Sequence, residues 1–364
     1  MNPRRCSLVA FVGLAVAAPL LGQRPTDVVH KVDGSRLRGV EVQQFRNDAV
    51  RIRRGTETLD LAAASVADVE WGQPPESMQR GLLALRRGDA RSAVQLFGDV
   101  QSLRPLVVAD ATFHQVAAAV AASGSDRDAA ATAARHAHAW LEAHRDHFRS
   151  GDATLLAARA ERLAGFPAAA MATLRRLVPV DGRTTCPPRL AAQATFELGL
   201  VASAAGDHAV AGGHFHDAAQ RAERAGLPEL AMAARAAEGE SLAAGQGHDA
   251  GAAFFRELTR SQDAAARATG HAGLGALAYQ AAVAGDDAAK VRTAQVELAR
   301  ALVLDPLDGD ATAKAELHQG LALLRLATSR DDDHRRRAFT CLQRVLDRHP
   351  SSRWAPLARE AMTR

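Results

Sequence analysis

A glycine-centred pattern recurs along most of this chain and restricts its fold more than any other feature. Around Gly88–Asp89, Gly81 lies seven residues earlier, Ala93 five later and Phe97 nine later. The same offsets recur around Gly206–Asp207. Self-similarity at a period of about 40 residues is typical of proteins built from stacked supersecondary units. The pattern therefore predicts a repeat array over most of the sequence.

Partial copies of the pattern occupy the rest of the array. They centre on Gly124, Gly165 and Gly245, so that the spacings from Gly88 to Gly206 are 36, 41 and 41 residues. The residues that match at the later offsets are Ala129, Ala170, Leu174, Ala250 and Phe254. The second half of the pattern appears twice more, as Ala294, Leu298, Ala301 and Pro306, and as Ala338, Leu342, Val345 and Pro350.

Each position in the pattern has a physical role in a pair of antiparallel helices. The first small residue lets the two helices touch, and the Gly-Asp pair makes the turn between them. Alanine keeps the second helix close, a bulky apolar residue fills the shared core, and proline ends the unit.

These residues resemble tetratricopeptide (TPR) repeats, and the resemblance spans residues 76–364. The family period is about 34 residues, so the longer spacing implies longer helices or extended loops, with a HEAT-like or other α-solenoid as the alternative. The resemblance implies a mainly α fold, an antiparallel helix-hairpin solenoid. The tail from Trp354 is expected to be a helix that caps the last apolar face.

The first 22 residues have the features of a cleavable signal peptide. Arg4 and Arg5 are followed by an apolar run from 6 to 21 and by the small residues before Gly22–Gln23. That run is shorter than the roughly 20 residues that span a bilayer. We expect cleavage near Gly22–Gln23 and a periplasmic or secreted chain with no stable membrane insertion. An uncleaved N-terminal anchor is the alternative.

Residues 24–71 have the alternation of short strands rather than helices. Asp33–Gly34 is a hairpin signal, and Leu37–Phe45 is typical of a long strand with a bulge at Gly39. The segment resembles a small SH3-like or Sm-like barrel. We therefore expect a small all-β barrel-like domain, joined to the helices by the linker 72–75.

Charge and cysteine content exclude several classes of protein. The formal charge is +4, of which Arg4 and Arg5 supply two, and acidic and basic residues are interspersed. No nucleic-acid partner is therefore expected. Cys186 and Cys341 lie several repeats apart, so we expect packing rather than a disulfide to stabilise the array.

Motifs that carry chemistry are absent from the sequence. It has no phosphate-binding loop, His-Glu-x-x-His, CxxC or Gly-x-Ser-x-Gly motif. Two groups of histidines lack nearby cysteines and fixed carboxylates: His136, His138, His144 and His147, and His208, His214 and His216. We expect no catalytic, cofactor or metal site. A divergent hydrolase or metal-dependent enzyme hidden in these histidine-rich helices is the alternative.

The TPR resemblance implies a binding groove on the concave side, lined by the first helix of each repeat. Carrying over the groove-facing offsets gives candidate partner-binding residues: Phe196 and Leu200, and by weaker transfers His114, Arg159, Arg162, Arg235 and Tyr279. Guanidinium groups bind carboxylates through two hydrogen bonds, so the arginines would suit an acidic peptide end. Ordinary solvated arginines are the alternative.

The expected function is that of a non-catalytic scaffold or adaptor that binds a protein or peptide partner in this groove. The alternative is a subunit of an envelope-assembly or secretion complex with the β domain as the contact point. The sequence leaves the partner and the oligomeric state open.

Overall fold

The computed structural model describes residues 26–178, 186–305, 307–327, 333–350 and 352–363. The predicted signal peptide, its cleavage site and Pro306 lie outside these ranges. Within them, a small β-sheet comes first and helices fill the remainder. The last strand ends at Glu70 and the first helix begins at Glu76.

The N-terminal sheet is antiparallel and open. Its strands are β1 (Asp27–Lys31), β2 (Arg36–Phe45), β3 (Ala49–Arg54), β4 (Glu57–Ala62) and β5 (Val66–Glu70), in the order β4-β3-β2-β1-β5. Both β4 and β5 are edge strands, so the expected small all-β segment is present but its sheet is not closed into a barrel. The expected bulge is present, because Gly39 has a φ of +73° and the register between β1 and β2 shifts beside it.

The apolar face of the sheet is covered by helices, which explains why it does not need to close. Val29, Val40 and Ile52 are buried in one core together with Met78 and Phe97 of the first helices. Burial of this face against helices removes the same apolar surface from water that closure would remove.

The helices form hairpins in chain order. They are α1 (Glu76–Arg86), α2 (Ala90–Gly98), α3 (Pro105–Ser123), α4 (Arg127–Ala143), α5 (Ser150–Leu163), α6 (Pro167–Arg175), α7 (Pro188–Ala204), α8 (His208–Arg224), α9 (Pro228–Gln246), α10 (His248–Thr259), α11 (Ala264–Ala284), α12 (Ala288–Leu304), α13 (Asp310–Leu326), α14 (Asp333–Arg348) and α15 (Ala355–Thr363). Among the described helices α3 alone is long and apolar enough to cross a bilayer, and it packs against α2, α4 and α5.

The Gly-Asp turns have the conformation that the pattern requires. Gly88 and Gly206 have φ values of +76° and +81°, a region that residues with a Cβ rarely occupy. Asp89 and Asp207 each cap the following helix, since their carboxylates accept hydrogen bonds from backbone N–H groups in its first turn.

Close approach of the paired helices depends on glycine. A Cβ on Gly81 would lie 2.9 Å from the Phe97 ring, and one on Gly199 would lie 2.5 Å from the Phe215 ring. Such distances are far inside van der Waals contact. The predicted role of the first small residue in the pattern is therefore confirmed at both sites.

In the repeat around Gly245 the turn lies two residues after the predicted position. Helix α9 continues through Gly245, and Gly247, with a φ of +99°, makes the turn. The buried residues are consequently Ala252 and Phe255, rather than the predicted Ala250 and Phe254. Gly239 takes the close-approach position, where a Cβ would lie 2.4 Å from the Phe255 ring.

The C-terminal repeats follow the predicted pattern. Ala294, Leu298 and Ala301 are fully buried in α12, as are Ala338, Leu342 and Val345 in α14. Helix α15 buries Ala355 and Ala358 against this end of the array, which confirms the expected capping helix.

The described helices thus form a TPR-like solenoid with two layers. The first helices of successive hairpins touch one another, as in α3–α5, α5–α7, α9–α11 and α11–α13, while successive second helices make few or no contacts. The layer of first helices therefore lies on the concave side, and we call it the inner layer. Helix α13 also contacts α9, so the array curves most tightly there.

Candidate functional site

The inner layer encloses a cavity of about 370 Å³ where α9, α11 and α13 converge. Its walls combine small apolar residues with a few polar groups. They are Glu240, Ala243, Ala244, His248, Ala276, Leu277, Gln280, Lys314, His318 and Trp354.

A carboxylate of α9 binds two cations at one side of this cavity. Glu240 accepts hydrogen bonds from Lys314 Nζ at 2.8 Å and from Arg353 Nη1 at 2.8 Å. Burial opposes ionisation of Glu240, but Arg353 and Lys314 outweigh it and lower its pKa to about 2. Glu240 therefore carries a full negative charge at neutral pH.

Arg353 connects Glu240 to a second carboxylate at the start of α13. Its Nη2 donates to Asp310 Oδ2 at 3.1 Å, and the indole N–H of Trp354 donates to Asp310 Oδ1 at 2.9 Å. The guanidinium also lies 4.3 Å from the centre of the Trp354 ring, a cation–π distance. The segment before α15 is thereby held against α9 and α13.

Lys314 is unusual because α13 buries it. Its side chain is 4% exposed, and its ammonium lies between the rings of Phe255 and Trp354, at 5.2 and 5.7 Å from their centres. Buried lysines require a partner charge, and Glu240 supplies it. Contact with two aromatic faces adds stabilisation in this desolvated position.

His318 lies one helical turn after Lys314 on the same side of α13. Its Nδ1 is 2.9 Å from the carbonyl oxygen of Lys314, so Nδ1 carries a proton and donates it. Burial and the nearby Lys314 lower the pKa of His318 to about 4. The ring is therefore neutral at pH 7 and its Nε2 is a hydrogen-bond acceptor.

This arrangement can bind polar groups but has no activated nucleophile. Burial raises the pKa of the Cys341 thiol to about 12 and that of Cys186 to about 11, so both stay protonated at neutral pH. In the described ranges, no three His, Cys, Asp or Glu residues come close enough to hold a metal ion.

The predicted groove arginines of α5 lie in the inner layer and share one carboxylate. Arg159 Nε and Arg162 Nε donate to the two oxygens of Glu197 on α7, at 2.6 and 3.1 Å. One positive charge remains after this pairing. Arg235 instead donates to Glu223 on α8 at 2.9 Å and lies apart from the other two.

The remaining predicted residues are dispersed along the array. Phe196 and Leu200 are half-buried against the Phe215 cluster, so they contribute to packing between α7 and α8. Tyr279 lies beside the cavity, with its ring centre 6.1 Å from that of His318. His114 stacks on Phe97 at 5.5 Å near the sheet.

A second buried charge network joins the sheet to the helices. Asp110 on α3 accepts hydrogen bonds from the indole N–H of Trp71 and from Arg149 Nε, both at 2.9 Å. Arg149 also bonds to Asp68 of β5 and lies 4.8 Å from the centre of the Phe113 ring. The Asp110 side chain is fully buried and that of Arg149 is 8% exposed, so this pair is closed to solvent, whereas Asp68 at the edge of the network is 52% exposed.

A larger cavity, of about 890 Å³, lies between the sheet, α4, α5 and α7. Leu177 and Cys186 are among its lining residues. Its polar lining residues include Arg189, bound to Asp152 at 2.8 Å, and His138, bound to Glu161 at 2.8 Å. Neither pair offers the buried, incompletely bonded donor found at Lys314.

Sequence reasoning missed Glu240, Lys314, His318 and Arg353. One sequence signal indicates a buried lysine: of the three lysines in the chain, Lys314 is the one between two alanines within an apolar helical stretch. The partners of Lys314 could not be identified, because Glu240 is 74 residues away in sequence.

Comparison with known proteins finds similarity in fold only. No family model and no curated protein matches this sequence. The apo form of RapI matches with a TM-score of 0.42 and 13% identity, over 74% of this chain and 97% of that one. A tetratricopeptide repeat protein from Parabacteroides merdae matches with a TM-score of 0.41 and 12% identity, over 79% and 96%. NprR in complex with its cognate peptide NprX matches with a TM-score of 0.39 and 11% identity, over 78% of this chain and 81% of that one. These scores are low, so the hairpin geometry described above carries the TPR-like assignment.

Proposed function

We propose that this chain is an exported, non-catalytic scaffold or adaptor that binds a protein or peptide partner along its concave side. The observation that carries the proposal is the cavity in the inner layer, where a buried ammonium and a neutral imidazole line a concave wall. Concave, mostly apolar sites with a few fixed polar groups are typical of ligand binding.

Export is part of the proposal and rests on the sequence of residues 1–22. A basic start, an apolar run and small residues before Gly22–Gln23 support a periplasmic or secreted location after cleavage. Mass spectrometry of the chain from its source cell should find a mature N-terminus near Gln23. An intact Met1 in a membrane fraction would instead support an anchored form.

Site-resolved photo-crosslinking in the source cell tests the binding surface. A photoreactive residue replaces Gln280 on the inner layer, Arg256 on the outer helix α10, or Leu59 on β4, and all three positions are exposed. We expect one protein to be captured from Gln280 and not from Arg256. Equal capture from both positions, or none from Gln280, would contradict the proposal.

A second candidate function is a subunit of an envelope-assembly or secretion complex that uses the sheet as its contact point. It is supported by β4, an edge strand in which every side chain is exposed or half-exposed, with Leu59 at 42%. Deleting the sheet would also uncover Met78 and Phe97, so deletion is a poor test. Capture from Leu59 but not from Gln280 would favour this function.

A further inference from the structure

The cavity between α9, α11 and α13 has polar groups that are only partly used within the protein. Its volume of about 370 Å³ corresponds to roughly twelve waters at their share of liquid volume. A side chain and the adjoining peptide backbone fit in that space. The hydrogen-bonding groups of the cavity wall determine which kind of side chain can bind there.

Lys314 supplies unused donors. An ammonium group has three N–H donors, and among the described residues one of them bonds to Glu240 while the other neighbours of Nζ are aromatic rings. The two remaining donors on this side chain, which is 4% exposed, are available to an acceptor in the cavity.

His318 supplies an unused acceptor from the next turn of the same helix. Because Nδ1 donates to the Lys314 carbonyl and the ring is neutral, Nε2 accepts hydrogen bonds and repels an anion. Donor and acceptor therefore lie side by side, at positions i and i+4 of α13.

The charges around the cavity already balance. The cations Lys314 and Arg353 face the anions Glu240 and Asp310. A carboxylate in the cavity would add an uncompensated buried charge and would face both Glu240 and the His318 lone pair. A neutral group that accepts one hydrogen bond and donates another along the same edge adds no buried charge and is not repelled by Glu240 or by the His318 lone pair.

We propose that this cavity binds a primary carboxamide, the side chain of glutamine or asparagine in a peptide partner. One edge of a carboxamide carries both a carbonyl oxygen, which accepts from Lys314 Nζ, and an N–H, which donates to His318 Nε2. The apolar stem of the side chain then lies against Leu277 and Trp354. This inference deepens the proposed function and rests on it.

Saturation-transfer NMR on the full chain tests the assignment with matched small probes. The probes are N-acetyl-L-glutamine N-methylamide, its glutamate counterpart and its methionine counterpart, which differ in the side-chain end group alone. We expect the carboxamide probe to bind about tenfold more tightly than either counterpart, the effect of one or two buried hydrogen bonds. Equal or tighter binding of the glutamate probe would overturn the proposal, as would an absence of carboxamide binding, which would mean that water alone occupies the cavity.

A pair of variants locates the binding without disturbing the charge network. Ala244 is an exposed residue of α9 at the mouth of the cavity, and Ala204 is an exposed residue near the same end of α7. Ala244→Phe should abolish carboxamide binding, whereas Ala204→Phe should leave it unchanged. Binding that survives Ala244→Phe would place the site elsewhere and overturn the proposal.

The outcomes also separate this inference from the proposed function. Capture of a partner from Gln280 together with no carboxamide binding would remove the carboxamide assignment and leave the scaffold function standing. Failure of both measurements would remove both.

Discussion

The two buried charge networks use the same side chains at opposite ends of the array for different purposes. In each network, an Asp at or near the start of an inner helix accepts hydrogen bonds from a tryptophan indole and from an arginine. Near the sheet these residues are Asp110, Trp71 and Arg149. Near the C-terminus they are Asp310, Trp354 and Arg353. In the first network the Asp110–Arg149 pair is buried, and the network joins the sheet to the helices. The second adds Glu240 and Lys314 and borders a cavity.

The difference shows that the same set of Asp, Trp and Arg side chains can either hold elements together or line a binding cavity, depending on the residues around it. Phe113 and Phe148 pack on Arg149, and Asp110 has no exposure to solvent. Around Lys314 the residues that α9 and α11 contribute to the cavity wall include three alanines, Ala243, Ala244 and Ala276, which are too small to fill the space. Small residues at the tightest curve of the array therefore create the opening.

The largest effect should come from breaking the closed network. Arg149→Met leaves the buried carboxyl group of Asp110 without its cation, which costs about 3–5 kcal/mol of unfolding free energy. Urea denaturation measures the loss. The matched control is Arg51→Met, whose exposed pair with Asp60 should contribute little to stability. Equal losses from the two variants would contradict the assignment of Arg149 to a buried network.

Acid should destabilise both ends of the array through neutral histidines. Burial lowers the pKa of His147, near the sheet, to about 3 and that of His318 to about 4, whereas both ionise near 6.5 when unfolded. Between pH 6.5 and 4 the unfolded state binds more protons, so stability falls as pH falls. Each histidine should lower the free energy of unfolding by about 2 kcal/mol as the pH falls from 6.5 to 5.

Single variants measure how much of this pH dependence comes from His147, near the sheet, and how much from His318, at the cavity. His147→Phe and His318→Phe should each flatten the plot of unfolding free energy against pH below 6.5. An unchanged slope in either variant would show that the corresponding imidazole is already protonated or accessible in the folded chain.

Breaking the open network should have the smallest effect. Arg353→Met leaves Glu240 bound to Lys314, and Asp310 and Glu240 are 14% and 31% exposed, so water can replace part of the lost bonding and we expect a loss of about 1–2 kcal/mol. The double variant Glu240→Gln/Lys314→Met removes opposite charges together and should cost no more than that. A loss from Arg353→Met as large as that from Arg149→Met would mean that the C-terminal network is also closed.

Local features of this fold could be predicted from sequence, whereas long-range ones could not. Gly88 and Gly206 were identified because a left-handed turn requires glycine and the capping Asp follows directly. Gly245 was mistaken for the turn because Gly247 lies two residues away and propensity does not distinguish them. The open sheet was missed because closure depends on what covers its apolar face, and those helices follow later in the chain.

The candidate cavity was beyond sequence reasoning for the same reason. Arg353 and Glu240 are 113 residues apart, and their contact depends on the curvature that brings α13 to α9. The arginines that the resemblance selected, Arg159 and Arg162, lie in the inner layer as first helices should, but no local pattern reveals their bond to Glu197.

The most direct test of the central claim, that the C-terminal network opens onto a binding cavity, is reductive methylation of the folded chain with formaldehyde and dimethylamine–borane as the reductant. The chain has three lysines, of which Lys290 is exposed and Lys314 is 4% exposed. We predict that Lys314 is methylated more slowly than Lys290, at a rate independent of urea below the unfolding transition, and that Ala244→Phe slows it further. Methylation of Lys314 only upon global unfolding would show that this network is as closed as that of Arg149, and would contradict the account.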